Sequence, residues 1–150
     1  MDEELETPDE ARTFVWLPMA AAMVALIGLA DSVYLTVHHY TAEPVPCSLI
    51  EGCEMVLTSE YAELFGIPLA AFGAASYFAA FALALLAAFG DTRMWKLFGA
   101  VTVFMAGFTT WLLYLQAFRI GYFCQFCLLS ALTTFTLLIL FVVSIFRGRK

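Results

Sequence analysis

A chain of 150 residues that is 63% hydrophobic and 13% charged, with a mean hydropathy of +0.87, has too little charge to cover a soluble domain. Its formal charge of −6 comes largely from Asp2, Glu3, Glu4, Glu6, Asp9 and Glu10, an acidic run that argues against nucleic acid as a partner. The apolar residues fall into long uninterrupted blocks, which is the pattern of a membrane protein.

Residues 1–16 read as an acidic tail with too little apolar surface to order itself. Four apolar blocks follow: Leu17–Tyr40, Pro68–Phe89, Met94–Phe118 and Phe123–Phe146. A helix rises about 1.5 Å per residue, so a hydrocarbon core of about 30 Å takes about 20 residues to cross, and each block is long enough. Barrel strands would be shorter and would alternate in polarity. The first block is too long for a signal peptide, and Thr41–Cys47 offers no small-x-small cleavage site. The reading is an all-α membrane protein, a bundle of four transmembrane helices over residues 17–146, with a basic tail at 147–150.

Arg12, Arg93, Lys96, Arg147, Arg149 and Lys150 flank the blocks so that an even number of crossings puts all six on one side, leaving only Arg119 opposite. Basic residues in short loops mark the cytoplasmic side, so both termini are expected to be cytoplasmic. The Thr41–Ile67 loop and the Arg119–Tyr122 turn are expected to be extracytoplasmic. All four cysteines then share the compartment in which disulfides form and persist.

Pro44 and Pro46 stiffen the entrance of the first loop, and Gly52 permits a turn between Cys47 and Cys53. Ser59 is the expected N-cap of a short helix, Glu60–Phe65, that Gly66 ends, with Pro68 in the first turn of the next membrane helix. The loop is expected to rest as a lid on the mouth of the bundle. Ala70, Ala71, Gly73, Ala74 and Ala75 permit close helix approach, and the bundle is expected to be narrow there.

Cys124-Gln-Phe-Cys127 opens the last helix. Two cysteines three apart share a helix face within disulfide reach, and the free N–H groups of the helix start favour a thiolate at Cys124. Cys127 lies one turn deeper, about 4.5 Å along the axis, at a depth open to a lipid-soluble ligand. The reading thus has an aqueous sulfur, Cys124, and a membrane-facing one, Cys127. Cys47 and Cys53 can pair with each other, or a mobile lid can bring one of them to Cys124. Two pairs in exchange form a relay, since a thiolate attacks a disulfide through a mixed intermediate. Static disulfides are the bland alternative, but one closed by adjacent helix-terminal cysteines constrains little chain. Zinc sites favour two short-spaced pairs on loops, so no metal is expected.

Asp31 sits in the first membrane helix, where a carboxyl costs about 2.5–3.5 kcal/mol and is expected to face the interior. A structural hydrogen bond to Ser32, Ser76 or Thr110 is the expected role, with a proton relay as the alternative. His38 and His39 are expected to anchor the interface. Phe72, Tyr77, Phe108, Trp111, Tyr114 and Phe126 are candidates to wall a flat ring, although helical spacing equally suits packing.

These motifs together resemble the vitamin K epoxide reductase family in its bacterial or archaeal form, from about Gly28 to Leu140. They are Asp31-Ser-Val-Tyr-Leu, the Cys47/Cys53 loop pair, Ser59 beyond it, Phe65-Gly-Ile-Pro68 and Cys124-x-x-Cys127. The DsbB-type quinone-linked proteins, the runner-up, carry Cys-x-x-Cys in the first loop rather than the second. The resemblance implies a quinone-dependent thiol–disulfide oxidoreductase that supports disulfide formation. Its acceptor would be a menaquinone, ubiquinone or phylloquinone, and its partner a separate thioredoxin-fold, DsbA-like protein. It further implies that Cys53 exchanges with the partner, Cys47 passes electrons to Cys124, and Cys127 reduces the quinone, with Ser59 nearby. The candidate acceptor-binding residues are therefore Asp31, Ser59, Phe72, Tyr77, Trp111 and Tyr114. Ala131 stands where animal members carry a tyrosine, so epoxide reduction is not implied. The alternative from another class is a non-enzymatic membrane protein with structural disulfides.

Overall fold

The computed structural model describes residues 8–148. Among them, four helices are long and apolar enough to cross a membrane: Val15–Thr41, Leu69–Ala88, Thr92–Ile120 and Gln125–Gly148. They lie within α1 (Pro8–Thr41), α3 (Leu69–Ala88), α4 (Thr92–Leu115) with a π-helical turn at Gln116–Ile120, and α5 (Gln125–Gly148). Helix α1 begins ahead of Leu17, so part of the expected tail is helical. Proline at the first helical position has no N–H to leave unpaired, and Pro8 starts the helix on that footing. The rest of the tail, 1–7, and the last two basic residues, Arg149 and Lys150, lie outside the described residues.

The helices pack in the cyclic order α1, α3, α4, α5, each on two neighbours. Short connections make α3, α4 and α5 successive antiparallel neighbours. Where α1 meets α3 the surfaces are small: Ala21, Ala22 and Ala25 face Ala80, Ala84 and Ala87, and all six are buried. In lipid no hydrophobic force draws helices together, so contact between small residues and hydrogen bonding must do it. Tyr77 supplies the bonding. Its hydroxyl donates to the Ser130 carbonyl at 2.6 Å and lies 2.7 Å from the hydroxyls of Thr133 and Thr134, joining α3 to α5. The Tyr77 ring occupies the space that a side chain at residue 28 would need, so Gly28 is required for α1 to come this close.

The two ends of the bundle differ. At the end near Asp91, Trp95 stacks on Phe98 at 4.6 Å, Phe141 fills the place of a side chain at Gly99, and Trp95 Nε1 donates to Ser144 Oγ at 2.7 Å. The cysteine end is hollow. Gly73 lies against Ser32, yet Ala70, Gly73 and Ala75 line a cavity, so the small residues expected to narrow the bundle widen it at this end. Short side chains fill less of the space between helices that are held apart elsewhere.

The loop over this end contains α2 (Cys53–Leu57) and a hairpin of β1 (Glu63–Leu64) and β2 (Ile67–Pro68). The short helix therefore precedes Ser59 instead of following it. Ser59 caps no helix start. Its hydroxyl donates back to the Val56 carbonyl at 2.7 Å, while the Thr58 N–H closes α2 on the Glu54 carbonyl. Phe65 and Gly66 both have positive φ, 55° and 78°. That is the requirement of a two-residue hairpin turn whose twist matches the strands. Residues 60–65 cannot then be helical.

Candidate functional site

The four cysteines meet at the hollow end. Cys47 and Cys53 form a disulfide with Cα atoms 6.2 Å apart, while Cys124 and Cys127 are free thiols. Cys53, Val56 and Cys124 make a buried cluster against which Cys47, Leu57, Ile120, Phe126 and Cys127 pack. Cys53 is 1% exposed and Cys124 0%, whereas Cys47 is only half-buried. Cys124 is thus not the aqueous sulfur expected at a helix start. The loop covers it, and α2 lies directly against it.

Two close approaches hold the loop in place. Gly52 sits so near the Phe123 backbone that a Cβ there would collide with the Phe123 carbonyl oxygen. The Leu49 N–H donates to Gln125 Oε1 at 3.0 Å. Gln125, within Cys124-x-x-Cys127, therefore fastens the loop that carries the other pair. Across the mouth, His39 Nε2 meets Glu63 Oε1 at 2.9 Å, tying α1 to the hairpin. His39 is thus more than an interfacial anchor.

The start of α5 is built by the π-turn before it. The Gly121 N–H bonds back to the Gln116 carbonyl at 2.9 Å, and Gly121 adopts the left-handed conformation that ends such a turn. This swings Gln116, 4% exposed, under the cysteines. Its Oε1 accepts the Cys124 N–H at 3.4 Å. Its one mark in the sequence is a polar residue interrupting an apolar block. The Leu128 N–H bonds the Cys124 carbonyl at 3.0 Å, which puts Cys124 at the N-cap of α5. A hydrogen bond from the Cys127 thiol, helped by the Cys127 and Phe126 N–H groups and opposed by burial, lowers the Cys124 thiol to about 7. Near neutral pH it is therefore substantially thiolate, the reactive form.

Behind the cysteines lies a cavity of about 750 Å³. Cys127 forms part of its wall, with Phe104, Phe108 and Leu112 of α4, Leu69 and Phe72 of α3, and Val56 and Leu57 of the loop. Of the residues expected to touch an acceptor, Asp31, Ser59, Phe72 and Tyr77 line it. Trp111 and Tyr114 do not. They stack on one another at 5.8 Å, 55% and 48% exposed, on the outward side of α4, and Tyr114 continues onto Phe118. Aromatic spacing along a helix does not fix the rotation of that helix in the bundle. Phe126 is also outside the lining and packs on Tyr34 at 5.4 Å. The expected hydrogen bond of Asp31 is absent. Both carboxyl oxygens are buried without a partner among the described residues, while Ser76 and Thr110 donate to carbonyls of their own helices.

A disulfide and a dithiol packed together at one end of a membrane-spanning bundle define a membrane-embedded dithiol–disulfide site. Comparison with known proteins gives the particular family. The model of the vitamin K epoxide reductase family matches residues 19–142, a stretch that includes all four cysteines. A thiol-disulfide oxidoreductase of Arabidopsis thaliana, LTO1, is 33% identical over 126 residues, covering 76% of this chain. The chain spans about a third of that relative's length, 33%. It belongs to the vitamin K epoxide reductase family and is an integral membrane protein.

Proposed function

We propose that the protein carries electrons from the dithiol of a thioredoxin-fold partner, through Cys47/Cys53 and then Cys124/Cys127, to a membrane quinone, and so restores the partner's disulfide. The observation that carries this reading is one cluster holding all four sulfurs, with Cys127 alone among them opening on the cavity. Site volumes of about 300–1,000 Å³ are usual for small organic ligands, with walls mainly apolar and a few polar groups. The cavity, with Asp31, Ser32 and Ser59 among its polar lining residues, suits a flat, lipid-soluble acceptor on both counts. A quinone, when bound, accepts two electrons and two protons.

The chain's own steps follow from which sulfurs can be reached. A partner thiolate attacks Cys47, forming a mixed disulfide and releasing the Cys53 thiolate. The partner's second thiol displaces Cys47, so the partner leaves oxidised and the loop pair is reduced. Cys53 then attacks Cys124 of an oxidised Cys124–Cys127 pair, and Cys127 leaves as a thiolate. Cys47 resolves the new bond, which restores the loop disulfide and leaves Cys124 and Cys127 reduced. The structure holds this last arrangement. The family resemblance implied the opposite roles for the loop pair. The burial of Cys53 beside Cys124, with Cys47 more open, favours entry at Cys47 and transfer from Cys53. The cysteine end is taken as extracytoplasmic because the basic flanks lie at the other end.

Purified protein supplied with a reduced thioredoxin-like donor is expected to reduce a short-chain quinone, and Cys127→Ala to abolish this. Normal turnover by Cys127→Ala would end the reading. With a donor that lacks its second cysteine and carries its first as a thionitrobenzoate disulfide, the free Cys47 thiolate of Cys53→Ala should attack that disulfide, release thionitrobenzoate and hold the donor as a mixed disulfide. An adduct forming instead at Cys53 of Cys47→Ala would reverse the order of the loop pair.

A further inference from the structure

We propose that Asp31 is the proton-transfer group of the acceptor cavity, taking the proton that Cys127 gives up and delivering it to an oxygen of the bound acceptor. The proposal rests on the quinone reading above and adds to it a residue for the proton.

Three observations carry it. Asp31 is 7% exposed at membrane depth, and neither carboxyl oxygen has a hydrogen-bond partner among the described residues. A carboxyl so placed costs about 2.5–3.5 kcal/mol, and intramembrane ionisable groups without a structural partner mark ion or proton paths. The hydroxyls that would have given it a structural role are spent on backbone carbonyls, Thr36 on Ser32, Ser76 on Phe72 and Thr110 on Ala106. Secondly, Asp31 and Cys127 line the same cavity. Thirdly, Asp31, Leu35 and His39 all line it, spaced four apart on one face of α1, so that face runs from the carboxyl to the His39–Glu63 pair at the mouth. Eight residues of helix make that path about 12 Å.

The groups that face Asp31 across the cavity are few. Helix α5 contributes Cys127, with Cys124 just before it, α3 contributes Tyr77, and the loop contributes Tyr61. The α4 lining contains no titratable side chain among the described residues. Oxidation of the dithiol breaks two S–H bonds and forms one S–S bond, sending two electrons to the acceptor and releasing two protons. The Asp31 carboxylate takes the Cys127 proton, gives it to one acceptor oxygen, and returns to its starting form. The second proton, which Cys124 gives to solvent when it becomes a thiolate, reaches the other oxygen from solvent by way of the mouth. Charge and atoms balance without a further reagent.

The test uses the full-length protein with a short-chain menaquinone as probe. Asp31→Asn keeps the shape and removes the proton carrier. Its probe reduction is expected to slow about 10²-fold, the scale of general acid–base catalysis, with Asp31→Glu recovering most of the rate. Reduction of the loop disulfide by dithiothreitol should be unchanged in both, which also reports that they fold. A second readout needs no turnover. Infrared difference spectra taken as diamide oxidises Cys124 and Cys127 should contain a carboxyl C=O band that Asp31→Asn lacks. Equal rates and pH profiles in wild type and Asp31→Asn, or a band that survives the substitution, overturn the proposal alone. A wild-type protein that leaves the probe oxidised removes the quinone reading beneath it.

Discussion

Cys124 shows how much of its chemistry a residue receives from two or three neighbours. An ordinary cysteine titrates near about 8.5. In this protein the Cys127 thiol is the largest influence and brings Cys124 to about 7, against an opposing push from burial. A lowered value means that the thiolate persists down to about that pH and is lost by protonation below it. In the fully reduced protein, alkylation of Cys124 by a small neutral reagent should therefore rise through a midpoint near pH 7. In Cys127→Ala the hydrogen bond is gone while burial remains, so the midpoint should climb to about 8.5 or above. A midpoint that stays put would show that the Cys127 contact is not what activates Cys124. Gln116 acts on the same scale. By accepting the Cys124 N–H, it fixes the start of the motif from one side, and its place there depends on the extra residue of the π-turn.

The loop is the element on which the proposed relay depends, and its shape comes from particular residues. Leu64-Phe65-Gly66-Ile67 makes a two-residue turn because Gly66 accepts a positive φ freely and Phe65 is held in one. The expected helix at Glu60–Phe65 overlooked this. A possible cap at Ser59 was weighed more heavily than glycine at a hairpin turn, and the actual short helix starts on Cys53. Gly52 is the point at which the loop meets the α4–α5 connection, with no room for a Cβ against the Phe123 carbonyl. Gly52→Ala should lift α2 off Cys124 while leaving the membrane bundle intact. The expected outcome is at least a tenfold loss, about 1.4 kcal/mol, in the yield of the Cys53–Cys124 disulfide that diamide forms in a Cys47→Ala, Cys127→Ala background. Helix content by circular dichroism should not change. Undiminished trapping would show that Gly52 does not seat the loop.

At the scale of the whole molecule, the bundle is packed tight at one end by Trp95, Phe98 and Phe141 and left hollow at the other. Such an arrangement suits a site that must take up a lipid-soluble molecule from one side of a bilayer. The orientation is a prediction of the basic residues; among the described residues Arg93 and Lys96 lie in the connection at the packed end and Arg147 in the last turn of α5. A membrane-impermeant thiol reagent applied to intact cells or spheroplasts should label a cysteine introduced at Leu49, 85% exposed on the loop, and should leave one introduced at Arg93 untouched. Labelling of the second site alone would invert the protein and take the sulfurs away from an oxidising compartment.

The membrane spans, their ends to within a few residues, and the grouping of the cysteines at one end were all legible along the chain. Insertion responds to local apolar length, and Cys124-x-x-Cys127 at a helix start is a local arrangement too. Only the tertiary structure decided which sulfur is covered, which faces the cavity, and which aromatics point into it. It turned Trp111 and Tyr114 outward, left Asp31 without a partner among the described residues, and brought Gln116 and Gln125 to the cysteines. Those outcomes depend on how each helix is rotated against its neighbours and on how the loop folds back over them. Such contacts join residues as far apart as Leu49 and Gln125, and no periodicity within a single segment encodes them.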